Sequence, residues 1–488
     1  MSTEFEAVIG LEVHVQLSTE TKIFCDCPAK PLGGGSVSDV QANAYLCPVC
    51  AGHPGTLPVL NRKVLEYAAK AGLALSCTVN LDSRFDRKNY FYADLPKGYQ
   101  ITQYARPICE WGSLSFETPR GLKTVQIRRI HLEEDAGKSV HEGTLSLINL
   151  NRAGVPLIEI VTEPDFRQPD EAAQYLRELH AIVTAVDISD GNLQEGNFRC
   201  DSNVSVRPRG SQKLGTRVEI KNVNSFRFVE KAIEYEIARQ IEVLNSGGRI
   251  IQETRTFDSD RGVTLSMRTK EEAEDYRYFP DPDLTTAWIT ADQLQRWKNE
   301  LPELPQAKRK RYQSEWGLTT YDAELITGQS FFVSLFEAAL SQLAKEERAL
   351  AKSIAHFLTG EVAKRMNEEA GETRQPLFTA QHLVELARLV RDEVVSSAGA
   401  KQAIYHAWGT GDSISDIVEK QGLKQVSDTA SLEPIVEQVL LEFAAQFEEF
   451  KSGKEKVIGF LVGQIMKRSG GKANPALVQQ LIRKRVNS

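Results

Sequence analysis

The chain changes character at "LPELPQAKRKRY" (301–312), and that change limits the folds open to it. Before this Pro-marked basic junction, apolar and polar residues alternate, as in "VIGLEVHVQL" and "TVQIRRIHL", and Gly, Pro and Asn interrupt often. That is the pattern of half-buried strands joined by turns. Helical periodicity is interspersed at 171–186 and 228–244. Beyond the junction the period is helical: Phe332, Phe336, Ala339, Leu340 and Leu343 share one face, as do Val436, Val439, Leu440, Phe443 and Phe447. A second loosening falls at "WGTGDSI" (408–414). The expected architecture is α+β: a mixed-sheet domain over 1–295, an all-α domain over 296–410, and a small helical tail over 411–488.

Composition, at 41% hydrophobic and 26% charged, is that of a soluble globular protein. The longest apolar run, "VIGFLVGQIM" (457–466), is too short to span a bilayer and suits a packed helix. With no signal-like segment at the start, the expected compartment is the cytoplasm and no membrane partner is expected. The net charge of −7 argues against a simple nucleic-acid coat. From Lys451 onward, however, nine Lys/Arg face a single acid, Glu455, so this stretch carries +8 and the remainder −15. Such a basic end suits either a polyanionic partner or a solvated helix surface.

All seven cysteines lie in the first 200 residues, and an odd number argues against a disulfide framework. Cys25 and Cys27, then Cys47 and Cys50, form two short-spaced pairs that can present four thiolates to a structural Zn²⁺, a knuckle over 25–50. The other reading is four buried or redox-active thiols. His53 is a possible substitute ligand that four cysteines make unnecessary, and Cys77, Cys109 and Cys200 read as packed thiols.

"HLEEDAGKS" (131–139) ends like a phosphate-binding loop, but Leu132 stands where the first glycine belongs and Glu133, Glu134 and Asp135 would repel phosphates. An acidic triplet suits a divalent cation or a solvated turn. In "GLEVHVQL", alternation puts Leu11, Val13, Val15 and Leu17 on one strand face and Glu12, His14 and Gln16 on the other: the start of a metal site, or the wet face of an edge strand. Glu159 sits inside the apolar strand "VPLIEIVTE", where a carboxylate must be protonated, paired or metal-bound. "RFDRKNYFYADLPKGYQITQ" (84–103) interleaves cations with aromatics, as nucleotide binding requires and as a core strand flanked by solvated charges also gives.

Taken with "LNRAGVPLIEIVTEPD", "EGNFRCDSNVSVRP", "EIKNVNSF", "EDYRYFPDPDL" and "VGQIMKRSGGKANP", these segments make a sequence that resembles, almost end to end, the B subunit family of the aspartyl/glutamyl-tRNA amidotransferases. The resemblance implies a cradle-like catalytic domain, a helical domain and a tRNA-contacting tail. It implies that ATP phosphorylates the side-chain carboxylate of misacylated Glu-tRNA(Gln) or Asp-tRNA(Asn), and that ammonia then displaces phosphate. It further implies Mg²⁺ at Glu12, His14, Glu134 and Glu159 with Lys88 nearby, making Lys88, Glu134 and His14 the catalytic set. Structural Zn²⁺ at the four cysteines and tRNA contacts at Lys467, Arg468 and Lys472 follow the same way. The ammonia would come from a partner amidase A subunit carrying a Ser-Ser-Lys triad in a Gly/Ser-rich signature, with a small C subunit completing the complex. Here the only such run is the short "GGGS" at 33–36, so the chain should need that partner. Ala93 departs from the family pattern, where proline is common. "GFLVG" (459–463) carries two glycines four apart, which suggests close helix approach.

Overall fold

The computed structural model describes residues 4–31, 40–269, 276–368, 377–425 and 428–486. The "GGGS" turn and the first two residues of "EDYRYFPDPDL" lie outside them. The fold is α+β, in two compact units that divide between Pro305 and Gln306.

The first unit opens with β1 (Phe5–Gln16), α1 (Arg62–Ala74), β2 (Thr78–Val79), β3 (Asp82–Asn89), β4 (Tyr99–Arg106), β5 (Cys109–Thr118) and β6 (Gly121–Glu134). A separate hairpin, β7 (Lys138–Glu142) and β8 (Leu145–Asn149), leads into β9 (Pro156–Thr162) and α2 (Pro169–Ala185). Then come β10 (Phe198–Pro208), β11 (Val218–Val223), α3 (Phe226–Asn245), β12 (Glu253–Asp258), β13 (Val263–Thr269), β14 (Phe279–Pro280), β15 (Ala287–Trp288) and α4 (Ala291–Asn299).

The strands form one mixed sheet in the order β13-β12-β11-β10-β1-β9-β6-β4-β3-β14, in which β11 and β12 run parallel and the other neighbours antiparallel. β1 is therefore central, between β10 and β9, and not an edge strand. Its alternation explains the layering. Leu11, Val13 and Val15 are buried in one core with Val64 and Leu65 of α1, Tyr175 and Leu179 of α2, and Ile233 and Ile237 of α3. The opposite face carries Glu12, His14 and Gln16. A sheet with helices on one face can leave a polar cleft on the other.

Local rules account for the helices. α2 starts at Pro169 with a capping box between Gln168 and Glu171. Its Tyr175 packs edge-on against Phe166, 5.2 Å between ring centroids, and against Phe116 at 6.1 Å. α3 is capped by Ser225, which accepts from the Phe228 N–H. Its wholly buried Glu236 accepts from Arg239 Nη2 and Nε (2.7 and 3.0 Å), the Gln240 amide (2.9 Å) and the Thr264 hydroxyl (3.0 Å), which ties the helix to β13.

In the second unit, one apolar cluster runs from Tyr312 to Leu423 and a second from Leu432 to Ile482. The loosening at 408–414 is a helix end, with Gly411 at φ +69° after the helix Ser397–Thr410, and Ile414, Ile417 and Val418 beyond it still pack into the first cluster. The apolar run at 457–466 lies in the helix Val457–Arg468, and no described helix is long and apolar enough to cross a membrane. Among the described residues no helix packs on Gly459 or Gly463, contrary to expectation.

Removing one partner from a buried charged cluster leaves the others uncompensated, at a cost of about 3–5 kcal/mol. Glu236→Ala should lower the unfolding free energy of the first unit by about that amount, read by urea denaturation. A loss below about 1 kcal/mol would show that the cluster does not hold α3 to the sheet.

Candidate active site

The register of three adjacent strands builds the site. His14 on β1 lies opposite Glu159 on β9, and Glu159 lies opposite His131 on β6, so the three side chains form one row across the open face. Glu133, two residues beyond His131, shares that face. His14 Nε2 stands 3.5 Å from Glu133 and 3.6 Å from Glu159, and His131 Nε2 stands 3.1 Å from Glu159. Glu12, next on the same face of β1, accepts a 2.9 Å hydrogen bond from the Asn203 amide.

Glu134 does not join this row, although the family resemblance makes it a ligand. Alternation along β6 turns its side chain to the opposite face. There it is buried, pairs with Lys97, and accepts the Ile101 N–H at 2.8 Å. Glu133 occupies the position expected of Glu134. His131 was likewise missed. Carrying the alternation of "RRIHLEE" through to its end would have found both, since residues 131 and 133 share one parity and 132 and 134 the other.

Electrostatically the row is a cluster of carboxylates and imidazoles that stabilise one another's charged forms. Burial opposes charge on His14, but Glu159 and Glu133 outweigh it and raise its pKa to about 9. Burial acts against ionisation of Glu159 too, and His131 and His14 hold its carboxyl well below the usual range. Glu12 is pushed up by burial, then by Glu159, Glu219 and Asp201. Donor atoms of His14, Glu133 and Glu159 lie within 4.8 Å of one another. One imidazole with hard carboxylate oxygens suits Mg²⁺ or Mn²⁺, so these residues fit a divalent ion.

His14 and Glu133 line a cleft of about 640 Å³ whose other walls mix cations, Lys88, Arg152, Arg199 and Lys221 among them, with Asp135, Asp190, Glu195 and Asp201. Lys88, at the end of β3, lies 4.9 Å from the Tyr276 ring centroid. Burial disfavours its charge, yet Glu133, the tyrosines and Glu159 keep its pKa above the usual lysine value. Arg199 donates to Asp135 at 3.0 Å, and its buried Nε has no partner among the described residues. Lys221 bonds Asp201 at 2.7 Å. These cations facing a carboxylate row can hold an anion such as a polyphosphate against a bound metal ion. Arg199 and Lys221 were not singled out in the sequence, because only the pairing of β10 with β1 and β11 brings them to the cleft.

The four cysteines form a separate cluster with all four sulfurs within 4.8 Å of one another. Cys50 Sγ lies 3.8 Å from Cys47 Sγ and 3.9 Å from Cys27 Sγ. A tetrahedron with Zn–S bonds of about 2.3 Å has sulfurs about 3.8 Å apart, so the cluster fits zinc. A hydrogen bond from the Cys25 thiol, with Lys22 close by, holds the Cys50 thiol at about 4, whereas burial and the neighbouring Cys50 push Cys27 up to about 12. The wholly buried Lys22 reaches Cys50 Sγ at 3.6 Å and donates to the Tyr45 carbonyl at 2.8 Å. His53 is not one of the cluster's donors, and Cys77, Cys109 and Cys200 are buried thiols apart from it.

In the tail, "SGGKANP" is a structural turn. Asn474 caps the helix Pro475–Val486, accepting from Ala476 N at 2.9 Å, and its amide donates to Glu393 at 2.8 Å. Arg468 is ion-paired with Glu442, Lys467 is exposed, and Lys472 is half-buried near Gly422.

Serine substitution of Cys27 and Cys50 together should remove about one equivalent of bound zinc, measured by metal analysis of the purified protein, and lower Tm by several degrees. Zinc content unchanged in that variant would mean that the cluster is not a metal site.

Comparison with known proteins agrees with this architecture. A family model described as the GatB/GatE catalytic domain matches residues 7–295, and one described as the GatB domain matches 334–486. Relatives named as the B subunit of aspartyl/glutamyl-tRNA(Asn/Gln) amidotransferase include those of Geotalea daltonii, 52% identical over 99% of both chains, and Myxococcus xanthus, 48% identical over 99% of both. That of Thermoanaerobacter pseudethanolicus is 49% identical over 99% of this chain and 100% of its own. The chain belongs to the GatB family.

Proposed function

We propose that this chain is the activating subunit of a tRNA-dependent amidotransferase, converting Glu-tRNA(Gln), Asp-tRNA(Asn) or both to the corresponding amide. The observation that carries this reading is the row His14–Glu159–Glu133, whose His14 and Glu133 share one cleft with Lys88 and Arg199. Ammonia cannot expel oxide from a carboxylate. The carboxylate oxygen therefore attacks the γ-phosphorus of ATP, ADP leaves, and an acyl phosphate forms. Ammonia then adds to the carbonyl carbon, phosphate departs with the C–O bonding pair, and a proton is lost from nitrogen to give the amide.

His14, Glu133 and Glu159, with Glu12 beside them, are the residues to hold Mg²⁺, in place of the set containing Glu134. An ion held there would supply positive charge to offset what develops on the phosphoryl group in transfer. Lys88 and Arg199 hold the negative oxygens of nucleotide and acyl group close to the row. Asp135 fixes Arg199 and accepts from Gln16 at 2.9 Å, which keeps the guanidinium aimed along the cleft. The cysteine knuckle, loaded with zinc, is structural.

The ammonia is supplied by an amidase A subunit, with a small C subunit completing a cytoplasmic heterotrimer. The tail meets the tRNA backbone through Lys467 and Lys472, with Arg468 joining on release from Glu442, a salt-dependent contact.

The test is ADP release by the complex purified from its own cells, with Glu-tRNA(Gln) or Asp-tRNA(Asn) added. Release should require the misacylated tRNA, fall by a factor on the order of 100 or more in Glu133→Gln, and change less than about tenfold in Glu134→Gln. The reverse ranking would return the ligand role to Glu134. Release that ignores tRNA and survives both substitutions would leave a non-catalytic tRNA-binding scaffold.

A further inference from the structure

Five tyrosines touch in sequence, one of which, Tyr90, lines the cleft. Tyr92 packs edge-on against Tyr90 (6.3 Å between ring centroids), Tyr90 against Tyr276 (6.1 Å) and Tyr276 against Tyr278 (6.0 Å). Tyr278 then lies flat on Tyr104, 4.0 Å apart with 7° between the planes. Core aromatics favour edge-on or offset contacts and are covered. This run is open at both ends, Tyr92 being 55% and Tyr104 50% exposed. It also carries cations. Lys88 sits over Tyr276 and Tyr90 at 4.9 and 5.7 Å, and Arg129 over Tyr104 at 5.7 Å.

The backbone holds the run in a costly conformation. Arg277, between Tyr276 and Tyr278, has φ +43°, a region that arginine rarely adopts. The Asn89 carboxamide locks it there, donating to the carbonyls of Tyr276 (3.1 Å) and Arg277 (2.8 Å). Strain of this kind persists where the surroundings over-determine it, and it clusters at ligand sites. Tyr104 is in register with the row as well: Thr102 lies opposite Glu133, and Tyr104 follows Thr102 on the same face of β4.

We infer that Tyr104 and Tyr278, flanked by Arg129, form a stacking platform for an adenine ring at the mouth of the catalytic cleft. This inference rests on the function proposed above, which supplies two adenines: that of ATP and that of the terminal nucleoside of the aminoacyl-tRNA. Reach fits both. From Lys88 to the Tyr104 ring the steps are 4.9, 6.0 and 4.0 Å, so the span is no more than about 15 Å. About nine bonds, roughly 11 Å extended, separate the base nitrogen of the terminal adenosine from the side-chain carboxyl of the glutamate it carries. About ten bonds separate adenine from the γ-phosphorus of ATP. Thr102 lies opposite Glu133, and two residues along the strand with one strand spacing across put the Tyr104 backbone roughly 8 Å from that of Glu133, a distance either substrate spans.

The experiment uses the full-length chain with the subunits that copurify with it. Two fluorescent probes serve: a tRNA with 2-aminopurine as its terminal base, and 2-aminopurine riboside triphosphate. One of them should be quenched on binding to the unmodified complex, and Tyr104→Ala should abolish that quenching. In ADP-release kinetics, Tyr104→Ala should raise the KM of the same substrate about tenfold or more while kcat changes less than about twofold, and Tyr104→Phe should behave as the unmodified chain. A rise in the KM for ATP assigns the platform to the nucleotide, and a rise for aminoacyl-tRNA assigns it to the terminal adenosine. Neither probe quenched, or both KM values unchanged in a Tyr104→Ala chain of unaltered Tm, would overturn the platform. A fall in kcat alone would overturn it too. If the unmodified complex releases no ADP in response to tRNA, the proposed function fails, and probe quenching still decides the platform independently.

Discussion

The row in the cleft follows from the register of β9 between β1 and β6. His14, Glu159 and His131 come from three strands more than a hundred residues apart at the extremes, and only the pairing His14↔Glu159↔His131 puts them in one row. Because side chains alternate with period two, a slip of one residue would send Glu159 into the core and bring Ile158 or Ile160 to the cleft. The register is pinned by burial, since Ile158 and Ile160 are wholly covered beneath the row. The apolar core thus fixes the open face indirectly, through what must be hidden behind it.

Two devices join the walls of the cleft to this sheet. Arg87 on β3 pairs with Asp281 at 2.7 Å and Asp283 at 2.8 Å and lies over the Tyr99 ring at 4.1 Å, so the strand that carries Lys88 is tied to the segment that carries Tyr276 and Tyr278. The cysteine knuckle is anchored separately. Lys22 donates to the Leu150 carbonyl at 3.4 Å as well as reaching Cys50, which links the knuckle to the stretch entering β9. A lysine buried among thiols is costly unless its charge is answered, and a tetrathiolate zinc centre, with net negative charge, would answer it.

Much of this can be read from the sequence. The alternation of "GLEVHVQL" defined both faces of β1, the helical periods at 171–186 and 228–244 correspond to α2 and α3, and the paired cysteines announced their cluster. The aromatic-basic run held two things at once: Phe85 is core, whereas Tyr90 lines the cleft and Phe91 is exposed. Two kinds of information were not local. Whether β1 is an edge or a centre depends on strands that arrive much later, so the wet-edge reading of Glu12 and His14 could not be dismissed from their own segment. The convergence of Arg199 and Lys221 on the cleft likewise depends on distant pairing. Glu134 is a different matter: the resemblance alone makes it a ligand, whereas the parity of β6, available in the sequence, puts Glu133 on the face that His14 and Glu159 share.

Whether the divalent ion belongs to the row on the open face is decided by anomalous diffraction from crystals of the chain soaked in Mn²⁺ with a non-hydrolysable ATP analogue. The expected map has a peak contacted by His14, Glu133 and Glu159. A peak on Glu134, or none in the cleft while manganese binds elsewhere, would refute that placement.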